Sequence, residues 1–276
     1  MHIIATVPQG VGDIFWCYQK LKPHADEITF RIAVLDDKCQ VQRRAENIIR
    51  ELPGVRDIQL KKLANRDYTR LISGRFDLPL ILQRLGHRSE ITIDYSVNHQ
   101  LDNGVPLEKI DSLPVMYDIP ASLQEYPISG PFVLMYASGS TADASVRKRL
   151  HLWTPRQWAD LANTISNRSG LPVYFIGAEF DAAVMREIKM HNPRVGLIIQ
   201  PPAAQLFWLL KNASAFVGYQ SGLSILADNF NTRQLIVYFH TLRNMRDSWV
   251  KPQNRNDLFR FCYFDDGPEH AAAMVC

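Results

Sequence analysis

Between residues 132 and 239, short β-branched or aromatic runs alternate with stretches of helical period, and this alternation constrains the chain more than any other feature. The runs at 132–137, 171–176, 195–199, 213–217 and 234–239 read as strands, and the spacing between them predicts helices over 154–167, 180–190, 203–211 and 221–229. Pro155, one residue after Thr154, sits where a first helical turn tolerates proline. Strands joined through helices of this length pair in parallel by right-handed crossovers, so the expected architecture is an open α/β sheet.

The first sixty residues repeat the pattern more loosely. A strand at 3–7 runs into a glycine turn at Gly10 and Gly12, and a helix at 13–21 carries Ile14, Cys17, Tyr18 and Leu21 on one face. A second strand at 28–34 precedes a helix over 41–52, stopped by Pro53-Gly54, and a short strand follows at 55–60. From 64 to 129 the apolar runs (78–85, 91–97) are short and broken by polar turns. Pro114, Pro120, Pro127 and Pro131, with Ser129-Gly130, mark a connection between two compact units. Domains are therefore expected at 1–125 and 126–276, in keeping with about 150 residues per domain. Residues 258–264 and 268–275 read as a last strand-like run and a short helix capping the second domain.

Composition removes whole classes of function. With 46% hydrophobic and 21% charged residues the chain is neither disordered nor fibrous. A net charge of +3 suits an anionic ligand but does not by itself argue for nucleic acid. Cys17, Cys39, Cys262 and Cys276 are too scattered for a zinc knuckle or a redox pair and read as reduced, buried thiols. No run approaches the ~18–20 apolar residues of a membrane span, and the short apolar start is not a signal peptide. A cytoplasmic protein with no transmembrane segment is expected.

In an open parallel sheet, ligands gather at the carboxyl ends of the strands, where helix N-termini present unpaired N–H groups. Four loops have that position. In Gly10-Val11-Gly12-Asp13 the glycines permit close approach of a ligand, but Phe15 occupies the place of the third glycine of a dinucleotide fingerprint. Asp13 lies in the first helical turn, which favours a carboxylate with or without a function. The second loop joins Ser138, Gly139, Ser140 and Thr141 to Arg147-Lys148-Arg149, a set that suits phosphate oxygens and equally makes a solvated basic loop. The third is Gly177-Ala178-Glu179, with Glu179 read as a helix cap. The fourth, 218–224, places Ser221 and Gly222 at a helix start, either as a phosphate or ribose contact or as a tight turn.

Other polar residues have plainer roles. His240 stands at a strand's carboxyl end beside Thr241 and Arg243, a position open to a ligand contact; the other histidines are scattered and read as surface or packing residues. Trp153, Trp158, Phe207 and Trp208 are assigned to the core. No Asp-x-Asp occurs, and the pairs Asp36-Asp37 and Asp265-Asp266 have the wrong spacing for a divalent cation, so no metal is expected.

Four motifs recur in one order: Gly10-x-Gly12-Asp13; Ser138-x-Ser140 with Lys148 and Trp153-Thr154-Pro155-x-x-Trp158; Ile176-Gly177-x-Glu179; and Phe216-Val217-Gly218-x-x-Ser221-Gly222-Leu223-Ser224-x-Leu226-Ala227. From residue 3 to about 240 this order resembles glycosyltransferase family 9, the heptosyltransferase-like enzymes of GT-B fold. The resemblance implies two Rossmann-like, doubly wound α/β domains facing a central cleft, the first on the acceptor side and the second binding a nucleotide-sugar donor. It implies inverting, metal-independent transfer of a sugar to an acceptor hydroxyl, with the nucleotide sugar as co-substrate and no cofactor. Asp13 takes the place of the family's general base, and Lys148, or its neighbours Arg147 and Arg149, that of the cation on the donor phosphate. Ser221 and Gly222 match the hydroxyl-glycine pair at the diphosphate.

With the loops read above, the donor-binding set is Gly12, Ser138, Ser140, Arg147, Lys148, Gly177, Gln220, Ser221, Gly222 and His240. Gln220 and Ile225 stand where the family has an acidic residue and a histidine, which leaves open a donor other than ADP-heptose. The acceptor is a glycan or another hydroxyl compound. One alternative is a modified DNA base, with Lys/Arg segments at 43–44, 61–62, 66–70, 84–88 and 147–149 tracking phosphates. Another is a non-catalytic GT-B relic that binds a nucleotide sugar without turnover.

Overall fold

The computed structural model describes residues 1–7, 10–34, 46–64, 66–67, 90–94, 123–138, 153–219, 221–238, 259–263 and 266–275. Contacts divide the chain into two units, Met1–Ser122 and Leu123–Cys276.

The first unit holds β1 (His2–Val7), α1 (Val11–Leu21), β2 (Glu27–Val34), β3 (Val55–Lys62) and β4 (Glu90–Asp94). Its strands form a parallel sheet in the order β3-β2-β1-β4. Register pairs Ile3 with Ile28, Ala5 with Phe30 and Val7 with Ile32, so one face is a continuous buried apolar surface. The helical residues 46–50 bury Ile48 and Ile49, and the following turn ends at Gly54 (φ 76°), a left-handed conformation open mainly to glycine.

The opposite face of the same strands is polar. His2 there bridges three strands, with Nδ1 3.1 Å from Glu90 Oε2 on β4 and Nε2 2.9 Å from Thr29 Oγ1 on β2. The packing role expected of this histidine thus takes the form of a cross-sheet tie. α1 buries Ile14, Phe15, Cys17, Tyr18 and Leu21, and the Tyr18 hydroxyl donates to the Pro53 carbonyl at 2.8 Å.

The second unit holds β5 (Val133–Tyr136), α2 (Pro155–Ser169), β6 (Val173–Gly177), α3 (Ala182–His191), β7 (Gly196–Ile199) and α4 (Ala203–Asn212). It continues through β8 (Ala215–Tyr219), α5 (Gly222–Asn229), β9 (Gln234–Tyr238), β10 (Phe259–Tyr263) and α6 (Gly267–Val275). All its pairings are parallel, in the order β10-β9-β8-β5-β6-β7. The chain therefore runs outward from β5 to β7 and then outward again from β8 to β10, and the direction reverses between β5 and β8.

Sequence cues set these elements locally. Thr154 caps α2 in a capping box with Gln157, Pro155 occupies the first turn, and Gly170 closes the helix at φ 72°. Val133, Met135 and Ala137 pack with Ala215, Val217 and Tyr219 against α2, α3 and α6 in one core. Within it Trp158 is wholly buried, and truncating such a side chain to alanine costs about 3–5 kcal/mol. Leu134, Tyr136, Phe216 and Gly218 alternate to the other face, where α4 and α5 bury Leu206, Phe207, Leu223 and Leu226.

Three readings shift. Residues 258–264 do more than cap the unit, because β10 pairs with β9 and extends the sheet. β8 begins at Ala215 instead of 213, since α4 runs to Asn212 and the Ser214 N–H is taken by the Phe132 carbonyl at 2.8 Å. Trp208, assigned to the core, is only half-buried, while Trp153, Trp158 and Phe207 lie in it as assigned.

Candidate functional site

The site is built at the reversal in the second sheet. β5 and β8 are neighbours, with Tyr136 in register with Gly218, and the segments leaving their carboxyl ends diverge into α2 and α5. Such a switch point opens a crevice at the strand ends. Gly218 is needed there because a Cβ would lie 2.7 Å from the Tyr136 carbonyl oxygen.

α5 enters this place through Ser221, its N-cap. The Ser221 hydroxyl accepts from the Ser224 N–H at 3.4 Å, and Ser224 Oγ accepts from the Ser221 N–H at 3.0 Å while donating to the Ser221 carbonyl at 2.7 Å. This box leaves the N–H groups of Gly222 and Leu223 without a partner among the described residues. Two unpaired amides at the positive end of a helix dipole favour an anion.

The helix is braced from behind by Gln234, whose amide, oriented by its hydrogen-bond network, donates to the Ser224 carbonyl at 3.1 Å and accepts from the Asp228 N–H at 3.0 Å. Those two backbone groups are the pair that a helical turn would join.

Across the switch point lies Ser138, just beyond β5. It is 2% exposed, and its Oγ has no hydrogen-bond partner among the described residues. Ala137 points into the α2 core, so alternation turns Ser138 to the side on which α5 lies. A buried hydroxyl without a partner costs about 1–3 kcal/mol, a penalty relieved when a ligand oxygen reaches it.

Gly177 has a structural explanation. A Cβ there would fall 2.7 Å from Asp181 Cβ and 2.8 Å from Met185 Sδ. Asp181, fully buried, accepts the Ala178 N–H at 2.8 Å and is the actual cap of the turn after β6. Glu179, read as that cap, instead lends its N–H to Gln200 Oε1 at 3.3 Å.

In the first unit α1 begins at Val11, so Gly12 and Asp13 lie inside its first turn and not in a loop. Gly10 is the N-cap in an extended conformation, and no side chain caps it. Ser140, Arg147, Lys148, Gln220 and His240 lie outside the described residues, as does the side chain of Asp13. Among the described residues no three His, Cys, Asp or Glu side chains converge as metal ligands, and no helix is long and apolar enough to cross a membrane.

Sequence reasoning passed over Tyr219. Its hydroxyl accepts from the Trp153 N–H and from Trp158 Nε1–H, both at 3.1 Å. The available signal was a hydroxyl-bearing tyrosine ending the otherwise apolar strand Ala-Phe-Val-Gly, two residues before the Ser221 cap.

No protein-family model matches the sequence, and no curated protein matches it. Solved structures do. Escherichia coli ADP-heptose LPS heptosyltransferase II is 14% identical with a TM-score of 0.56, the match covering 100% of this chain and 97% of that one. E. coli heptosyltransferase WaaC with ADP is 13% identical (TM-score 0.56, 99% and 98% covered). The glycosyl transferase family 9 protein of Veillonella parvula is also 13% identical (TM-score 0.52, 99% and 88% covered).

The fold is that of the GT-B glycosyltransferases. Motif order and fold likeness thus agree on the GT-B fold.

Proposed function

We propose that the protein is a glycosyltransferase that moves a sugar from a nucleotide-sugar donor to an acceptor hydroxyl with inversion and without a metal. The observation that carries this reading is the β5/β8 switch point itself, where one strand leads to a buried Ser138 hydroxyl unpartnered among the described residues and its neighbour leads to the open Gly222 and Leu223 amides of a capped helix. A diphosphate supplies the acceptor oxygens that all three groups lack.

In the proposed reaction the Asp13 carboxylate takes the proton of the acceptor hydroxyl as its oxygen bonds to the anomeric carbon. The bond from that carbon to the phosphate oxygen breaks, and the nucleoside diphosphate leaves with the electron pair. Charge gathering on the leaving oxygens is met by the α5 amides and Ser138, with Arg147 and Lys148 as the cations that the motif order supplies. Preorganised donors of this kind contribute several kcal/mol to the transition state because they need no reorientation during the reaction.

The test is a panel of nucleoside diphosphate sugars. A cognate donor at a hundred times its Kd stabilises the fold by about 2.7 kcal/mol, and nucleoside diphosphate is released when acceptor is added, in EDTA as in buffer. Absence of both stabilisation and release across uridine, adenosine, guanosine and cytidine donors ends the proposal.

A further inference from the structure

We infer that Tyr219 is a positioning residue of the donor site, its hydroxyl fixing the start of α2 to the root of the α5 turn. This rests on the donor-site reading above but concerns a group which that reading does not use.

Tyr219 is the last residue of β8, and two residues later Ser221 caps α5. Its side chain points to the opposite side of the sheet from α5, into the α2 core, where it is 3% exposed. There its ring meets Trp158 edge-on at 4.9 Å and 82°, and Trp158 meets Trp153 at 5.1 Å and 66°. The hydroxyl oxygen accepts two N–H groups from two different structural levels. One is the backbone amide of Trp153, where the chain rejoins α2; the other is the indole of Trp158, within the first turn of that helix.

The connection from β5 to α2 leaves at Ser138 and lands at Trp153. The connection from β8 to α5 leaves at Tyr219 itself. One oxygen atom therefore locks the landing point of the first to the departure point of the second, and the reversal between β5 and β8 lies between them.

Packing alone does not do this. Rings in edge contact slide by fractions of an ångström at little cost, whereas an oxygen shared by a main-chain amide and a rigid indole fixes the separation of the groups it joins. The two donors are buried, so they have no water to turn to when the acceptor is withdrawn. A shift of the 219–222 backbone re-aims the Gly222 and Leu223 amides, and anion affinity depends on that aim.

Tyr219→Phe keeps the ring and removes the hydroxyl. The expected results on the full chain are a melting point lower by about 2–4 °C and faster amide exchange at Trp153. Exchange also quickens at 221–224, which the hydroxyl does not touch. ADP, used as the probe, binds at least fivefold more weakly, and in turnover the KM for the donor rises while kcat changes less than twofold. Trp158→Phe, which removes one of the two donors, gives a smaller loss of ADP affinity and a smaller rise in exchange at 221–224, while the cavity it leaves in the core lowers the melting point further.

Faster exchange at Trp153 with wild-type exchange at 221–224 and wild-type ADP affinity overturns the inference, because the hydroxyl is then a core bond and nothing more. If the wild-type protein binds no nucleoside diphosphate at all, the donor-site reading falls, and exchange at 221–224 in Tyr219→Phe still decides whether the hydroxyl governs the α5 turn.

Discussion

The two sheets obey one rule and finish it differently. In each, the first strand lies between neighbours reached by chain paths running in opposite directions, β2 and β4 around β1, β6 and β8 around β5. Each first strand also carries, at or just past its carboxyl end, a buried hydroxyl without a partner among the described residues, Thr6 in one and Ser138 in the other. The helices that follow differ. α5 is held by a reciprocal serine box and braced by Gln234, whereas α1 has a glycine N-cap with no side-chain bond among the described residues. A rigid N-terminus suits a group that must be held still, and an open one with an aspartate in its first turn suits a group that must accept a proton. Under the proposed function this contrast fits binding in the second unit and chemistry in the first.

The largest effect expected from this contrast is in turnover. Asp13→Asn should lower kcat by about 10²–10⁴-fold and leave nucleotide affinity within a factor of two, measured by product release and calorimetry. A variant with wild-type turnover removes Asp13 as the base.

Ser138→Ala should act the other way round, weakening nucleotide binding by about tenfold or more without lowering the melting point, because a lost bond to a charged group is worth about 1.5–3 kcal/mol only when ligand is present. Unchanged affinity would return Ser138 to the status of an unexplained orphan.

Ser221→Ala, which takes one partner from the α5 box, should destabilise the protein by about 1 kcal/mol in urea titration. Thr6→Val probes the other orphan. With no ligand role it should stabilise the protein by about 1 kcal/mol and leave nucleotide affinity alone, since a buried unbonded hydroxyl is replaced by a methyl of similar shape. A fall in affinity equal to that of Ser138→Ala would erase the distinction between the sheets.

The smallest effect concerns Cys262 on β10. Burial, helped by the nearby charge of Asp266, pushes its thiol up to about 12. A raised folded pKa means that stability is whole below the unfolded value near 8.5 and declines as pH rises from there toward 12. Cys262→Ala should flatten that decline. In the native wild type at pH 8 the thiolate is on the order of one part in ten thousand, so site-resolved mass spectrometry should find Cys262 unalkylated.

Much of the second unit was legible because its strands are buried on both faces and its helices carry their own end signals. Thr154-Pro155, Gly170 and Ser221 each announce a boundary by a local mechanism that tertiary context did not override. The start of α1 was misjudged for a related reason. A glycine pair reads as a turn, yet Gly12 has neither a Cβ nor a ring to oppose helical dihedrals, and the helix extends back through it to Gly10.

The four-stranded sheet was harder to read because its strands alternate apolar and polar faces, and β4 (Glu-Ile-Thr-Ile-Asp) has too few apolar residues to stand out from its flanks. At the site, Ser221 and Gly222 could be found from the turn they make. Tyr219 could not, since its role depends on two donors that lie more than sixty positions upstream and are brought to it only by the pairing of β5 with β8. Ser138 was found by its motif, but that its hydroxyl is left without a partner is a property of the packed core and is not written in the string.

The reversal between β5 and β8 also fixes an order of assembly during synthesis. β5, β6 and β7 are consecutive and can dock as they leave the ribosome, each next to the strand before it. β8 must wait until α4 is complete and then return across the sheet to the free edge of β5. Until it arrives, β5 presents an unpaired apolar margin, and the nascent chain is at its most adhesive at the place where the finished protein is proposed to hold its donor.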